Sequence, residues 1–348
     1  MAYTTIDDPS EFFQTKLYTG TGSSLALTND GNSDLQPDWV WAKRRDGTYS
    51  HAWFDSSRGS TKRIISNLAN TEDTNAQYIT SFDSDGFTAG TDANINQSSL
   101  TYVAWQWKAN GGTTSSNSDG GITTTVQANT TAGFSIITYE GTFSSTSIGH
   151  GLNSAPEWLI FKNRESTDPW ALWHVGLNFP TDDLIYFNTN GANQHDPSFL
   201  NTAPSSSVIT LGAYENTNQD NNDLVCYAFH SVKGYSKFGK YIGNGNADGA
   251  FVYTGFKPAW VMVKRTNSTG YWVMFDNTRQ TENENNSWLL ANDTSDEGTN
   301  STGMDFVSNG FKLRNSSTAS VHNNISGSTY IYMAFAEHPF VSSKGVPV

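Results

Sequence analysis

The chain of 348 residues carries 33 acidic against 20 basic side chains, a formal charge of −13, and no basic cluster longer than Lys43-Arg44-Arg45; that excludes the electrostatic footprint of a nucleic-acid binder. One cysteine, Cys226, excludes an intramolecular disulfide and the small stapled scaffolds that depend on several. Charged residues are only 15% while aromatics reach 13%, so there are rings enough for cores, and Asn, Ser, Thr and Gly must solvate much of the surface.

Residues 1–12 show neither the basic nor the apolar region of a signal peptide and read as an N-terminal arm, the expected anchor of the chain. No apolar run approaches 18 residues, so no membrane insertion is expected. From residue 13 a series of landmarks begins: Tyr18-Thr19-Gly20, Pro37-x-Trp39-Val40-x-x-Lys43, Phe54 at 17 positions after the proline, Asp85-Gly86-Phe87 and Ala104-Trp105. It returns in order as Tyr139-Glu140-Gly141, Pro156-x-Trp158-Leu159-x-x-Lys162, Trp173 and Ala228-Phe229. A third copy runs through Tyr241-Ile242-Gly243, Pro258-x-Trp260-Val261-x-x-Lys264, Phe275, Asn309-Gly310-Phe311 and Ala334-Phe335. A period of about 100 residues is a whole domain, not a solenoid unit.

The expected organisation is repeat 1 over 13–108, a flexible linker over 109–122, repeat 2 over 123–232, repeat 3 over 233–341 and a C-terminal tail over 342–348. The linker rests on the Gly/Ser/Thr/Asn-rich run from Ala109 to Ile122. By contrast, Ser231 to Tyr235 leaves little slack between repeats 2 and 3. Within the repeats, Leu159-Ile160-Phe161 and Val261-Met262-Val263 read as central strands buried on both faces. The runs ending Trp53-Phe54-Asp55, Trp173-His174 and Phe275-Asp276 follow polar turns, a hairpin pattern, and no segment sustains helical periodicity. The fold class is therefore all-β: three tandem related antiparallel β-sandwich domains, jelly-roll or lectin-like.

The motifs that would carry chemistry fail on their details. Gly234 to Tyr241 approaches a phosphate-binding loop but has Tyr241 where a magnesium-ligating hydroxyl is required. Gly20-Thr21-Gly22 lacks the third glycine of a dinucleotide fingerprint. The seven histidines, 51, 150, 174, 195, 230, 322 and 338, have no zinc-site spacing and share no repeat position. Asp83-Ser84-Asp85-Gly86 and Asp220 to Asp223 read as turns, since neither completes a calcium loop. No catalytic residue, cofactor site or metal site is assigned. Trp39, Trp158 and Trp260 read as core; Trp170, Trp272 and Trp288, near polar turns, are the candidates for stacking on a sugar, with local packing as the competing reading.

His150-Gly151-Leu152 with Pro156 and Trp158, followed by Phe161-Lys162-Asn163-Arg164, resembles a segment of structural proteins of tailed bacteriophages of the marine and cyanobacterial type. Gly234 to Gly239, Phe251 to Phe256 and Tyr330 to Ala336 are similar to their C-terminal domain. Repeat 1 lacks the His-Gly-Leu element, and repeat 3 has Tyr253-Thr254-Gly255-Phe256 there instead. The resemblance implies a non-enzymatic virion component, tail or tail-fibre associated, exposed on the particle and attaching to host-surface glycans, with capsid or tail decoration as the alternative. Its implied partners are other virion proteins, further copies of itself as a homo-oligomer such as a trimer, and a host glycan.

Overall fold

The computed structural model describes residues 3–177, 182–299, 303–316 and 323–348, so His322 lies outside the described residues. The elements are almost all antiparallel strands; the helical pieces are the four-residue turns Ala93–Asn96 and Glu215–Asn218 and the 3-10 turn Pro9–Glu11. Each repeat has an inner and an outer sheet. In repeat 1 the inner sheet runs, in spatial order, Phe13–Thr19, Thr101–Trp107, Trp39–Arg44, Ala52–Asp55. Repeat 2 uses Phe134–Glu140, Asp223–Phe229, Trp158–Asn163, Ala171–His174, and repeat 3 uses Ser236–Ile242, Thr329–Pro339, Phe256–Arg265, Trp272–Asp276. In every copy the last strand inserts between the first and the second. The outer sheets are Leu25–Leu27, Gly86–Ala89 and Ile79–Asp83; Thr146–Gly149 and Val208–Leu211; and Phe251–Tyr253, Gly310–Leu313 and Met304–Val307.

The Tyr-x-Gly landmark ties the two layers together. The hydroxyls of Tyr18, Tyr139 and Tyr241 donate to the carbonyls of Ile95, Thr217 and Asn323 at 2.6–2.7 Å. The next residue in each case, Asn96, Asn218 or Asn324, accepts a backbone N–H with its side-chain oxygen and donates from Nδ2 to loop carbonyls. A Cβ on Gly20, Gly141 or Gly243 would meet a backbone carbonyl oxygen at 2.1–2.4 Å, which is why only glycine fits there.

Successive side chains of a strand point to opposite faces, and here both faces are apolar. On Trp39–Arg44, Val40 and Ala42 pack with Phe87 and Tyr102 under the outer sheet, while Trp39 and Trp41 face the other way. Leu159 and Phe161 against Trp158 and Ile160 repeat the division, as do Val261 and Val263 against Trp260 and Met262. The second set from all three repeats meets in one central core: Trp39 stacks on Trp107 at 4.2 Å and on Tyr227 of repeat 2 at 5.1 Å, and Trp107 meets Trp260 of repeat 3 edge-on at 5.8 Å. Trp39, Trp158 and Trp260 have no hydrogen-bond acceptor for their indole N–H among the described residues. Edge-to-face ring pairs, such as Trp39 with Trp53, surround them and offset part of that cost.

Two expectations about the joints differ from this structure. Residues 109–122, expected to flex, are pinned: Asp38 accepts from the backbone N–H of Ala109, Gly111 and Gly112 at 2.6–2.8 Å, and Ser115–Asn117 adds a strand to the sheet of repeat 2. Glu157, at the same repeat position, accepts from Ser231 N at the second joint. Repeat 3 carries Ala259 at that position. The expected N-terminal arm is also packed in: Ile6 and Phe12 belong to the central core and Asp7 accepts from Ser343 N at 2.6 Å, so the two ends of the chain meet.

Candidate functional site

The shared landmarks converge on the seams between repeats. Lys43, Lys162 and Lys264 are fully buried. Lys43 donates to Arg44 O, Gly47 O and, in repeat 3, Thr294 O; Lys162 to Ser166 O, Asp168 O and, in repeat 1, Ala69 O; Lys264 to Arg265 O and, in repeat 2, Asn190 O and Gly191 O. Burial lowers these lysines to about 8, 8 and 7. Three carbonyls match the three donors of an ammonium.

Repeat 1 thus grips repeat 3, repeat 2 grips repeat 1, and repeat 3 grips repeat 2. A head-to-tail contact of this kind either extends without limit or closes into a ring; here it closes after three.

The same cycle accounts for two of the three candidate tryptophans. Trp170 and Trp272 are fully buried, so neither presents a face to a sugar. The Trp170 indole donates to Leu68 O at 2.9 Å and Ile65 O at 3.2 Å in repeat 1, and that of Trp272 to Tyr186 O at 3.4 Å in repeat 2. His51 holds the equivalent position in repeat 1: its Nδ1 accepts from Trp41 Nε1 at 2.8 Å and its Nε2 donates to Leu290 O of repeat 3 at 2.9 Å. That tautomer is neutral, and burial pushes the imidazole well below its usual range. Trp288 is half-buried and packs on the core of repeat 3, its ring lying over Gly298. The structure does not bring the three candidates together.

Ion pairs reinforce two of the seams. Arg164 of repeat 2 forms a two-point contact with Glu72 of repeat 1 at 2.9 Å, and Glu72 also accepts from Arg58, which pairs with Asp55. Burial opposes ionisation of Glu72, yet the Arg164 hydrogen bonds and the Arg58 charge hold it down at about 2. Arg45, Glu297, Arg279 and Asp276 repeat the arrangement between repeats 1 and 3. At the third seam His174 and Leu177 replace the Asp and Arg, and Asn193 N bonds Thr266 O at 2.8 Å. His51, His150 and His174 are each buried at a different structural place. Cys226 is buried in repeat 2.

A surface cavity with an aromatic lining lies elsewhere, on the outer end of repeat 2. It measures about 480 Å³ and is lined by Phe143, Asp168, Tyr186, Asp196, Tyr214 and Asn216, with Glu215 at its side. The Tyr186 and Tyr214 hydroxyls share a hydrogen bond of 2.7 Å. Burial raises the Tyr214 phenol, with the Tyr186 hydrogen bond and the Asp196 and Asp168 charges adding to it. Asp168 and Asp196 are positioned through Ser166 and Ser198 at 2.5 Å, and Asn216 donates to Pro169 O. Sequence reasoning missed the cavity because its residues come from five segments separated along the chain. The signal within reach was Phe143 two residues after Gly141, where repeats 1 and 3 have Gly22 and Gly245.

Among the described residues no cluster of His, Cys, Asp and Glu could hold a metal ion, and no helix is long and apolar enough to cross a membrane. No curated protein and no solved structure matches the chain. One family model, described as a domain of unknown function (DUF7483), matches residues 8–339 without a break at either joint. The match spans all three repeats, and the chain belongs to the DUF7483 family.

Proposed function

We propose that this protein is a non-enzymatic structural component of a bacteriophage virion, carried on the tail or its fibres, that contributes to attachment to host-surface glycans. The observation that carries the reading is the division of labour within the repeat. Equivalent buried positions, such as Lys43, Lys162 and Lys264, are consumed in holding three copies in one ring, while the outer ends differ between copies, as at Gly22, Phe143 and Gly245. A rigid centre with divergent outer loops suits display. Multiplication of the chain by other virion proteins or by further copies of itself would turn weak sugar contacts into firm attachment. The resemblance in the His150 to Arg164 segment supports the particle.

A second reading, decoration of a capsid or tail, is favoured by a different observation. Ile242, Phe251 and Tyr253 of repeat 3 are 65%, 49% and 55% exposed, large apolar side chains available for protein contact. Labelled full-length protein distinguishes the two: saturable binding to host cells with dose-dependent blocking of virus adsorption is the result expected for attachment. Folded protein that neither binds nor blocks would move the assignment to decoration.

A further inference from the structure

We infer that the outer cavity of repeat 2 is a saccharide-binding site selective for neutral or amino sugars. This deepens the attachment reading and rests on it. The cavity volume, about 480 Å³, falls within the roughly 300–1,000 Å³ of small-molecule sites. Its lining joins the two chemistries that a pyranose needs: aromatic surface at Phe143, Tyr186 and Tyr214 for the apolar ring face, and acceptors at Asp168 and Asp196 for hydroxyls. Each carboxylate accepts from its neighbouring serine through one oxygen; the other has no protein hydrogen bond among the described residues. With Glu215 alongside and a chain charge of −13, an acidic sugar is repelled.

The internal repeats supply the control that makes Phe143 informative. Gly22, Phe143 and Gly245 are equivalent by their hydrogen bonds: their N–H groups donate to Asn96 O, Asn218 O and Asn324 O at 2.8, 2.6 and 2.7 Å. All three have left-handed backbone, with φ of +72°, +50° and +68°. Glycine takes that conformation at no steric cost, whereas a phenylalanine there is strained. Repeat 2 nevertheless carries the large ring, 44% exposed, at the edge of the only one of the three loops that borders this cavity. Folding does not require the ring, since two sister loops fold without it; a ligand does.

The test titrates the full chain by saturation-transfer NMR with methyl glycosides of glucose, galactose, mannose, N-acetylglucosamine and glucosamine, with glucuronate as the acidic control. The expected result is saturable binding of a neutral or amino glycoside and no binding of glucuronate. Phe143→Gly, which installs the residue of the sister loops, should keep or raise the melting temperature and weaken binding about five- to tenfold, as loss of one stacking ring does. Asp196→Asn should also weaken it. Binding unchanged in both variants, or a preference for glucuronate, would overturn the inference. Protein that blocks virus adsorption yet binds no glycoside would sink this site and leave attachment standing; protein that does neither would remove both.

Discussion

Replacing Trp170 by Phe separates a structural tryptophan from a ligand platform. The substitution removes the indole N–H that reaches Leu68 O and Ile65 O across the seam, and with it part of a ring that is fully buried. Loss of the hydrogen bonds costs about 1–1.5 kcal/mol and the smaller ring about another 1–1.5 kcal/mol, so roughly 2–3 kcal/mol in all. How that appears in a thermal melt depends on the size of the cooperative unit. At about 2.1 cal/mol/K per residue, a body of 348 residues has a melting entropy of about 0.7 kcal/mol/K, and the midpoint falls by about 3–4 °C. A repeat of about 110 residues melting alone would instead shift by roughly 9–13 °C while its sisters stayed in place. Near-ultraviolet circular dichroism, followed through the aromatic core, reads the difference. A shift below about 1 °C would refute the role given to Trp170, and a large shift confined to one of several transitions would refute the shared core.

Acid should weaken the fold in two stages. His174 and His150, lowered by burial to about 3 and 4, bind protons more readily unfolded than folded. Their contribution is complete above about pH 6.5 and is lost as pH falls toward 3–4; Glu72, held at about 2, adds a loss between about 4.5 and 2. A urea midpoint that stays level from pH 7 to pH 4 would contradict this. Arg58→Leu leaves the buried Asp55 without its cation and should cost about 3–5 kcal/mol in urea titrations, whereas adding Asp55→His, the pair used by repeat 2, should cost less than the single change; a double variant less stable than the single one counts against it. Gly86→Ala should cost at least about 2–3 kcal/mol, because a Cβ there meets Leu27 O at 1.9 Å with φ at +105°. Gly59→Ala, at φ +112° with nothing within 4 Å, should cost only about 1 kcal/mol, and equal losses at the two sites would contradict the steric argument.

The repeat and its strands are readable in the sequence because they rest on local rules. Trp39 and Val40 alternate as a strand requires, and Gly86 and Gly310 mark hairpins. The ring is not local, yet it left a trace. In a sandwich standing alone, one face of each inner strand meets water and reads polar. Here Trp39 and Trp41, Trp158 and Ile160, and Trp260 and Met262 make that face apolar in all three copies, so something had to cover it. What covers it is the other two copies, which alternation along one strand does not name. Trp170 and Trp272 were misplaced for the same reason: the Asn, Asp and Gly residues near them belong to turns, while the carbonyls they serve belong to the neighbouring repeat. Residues 109–122 have the composition of a flexible segment, but Asp38, about 70 positions earlier, holds their backbone.

Differential scanning calorimetry of the intact chain tests the closed three-repeat body most directly. One shared core predicts a single transition whose calorimetric enthalpy equals its van't Hoff enthalpy. Separate transitions, or a calorimetric enthalpy about three times the van't Hoff value, would mean three independent domains and would contradict it.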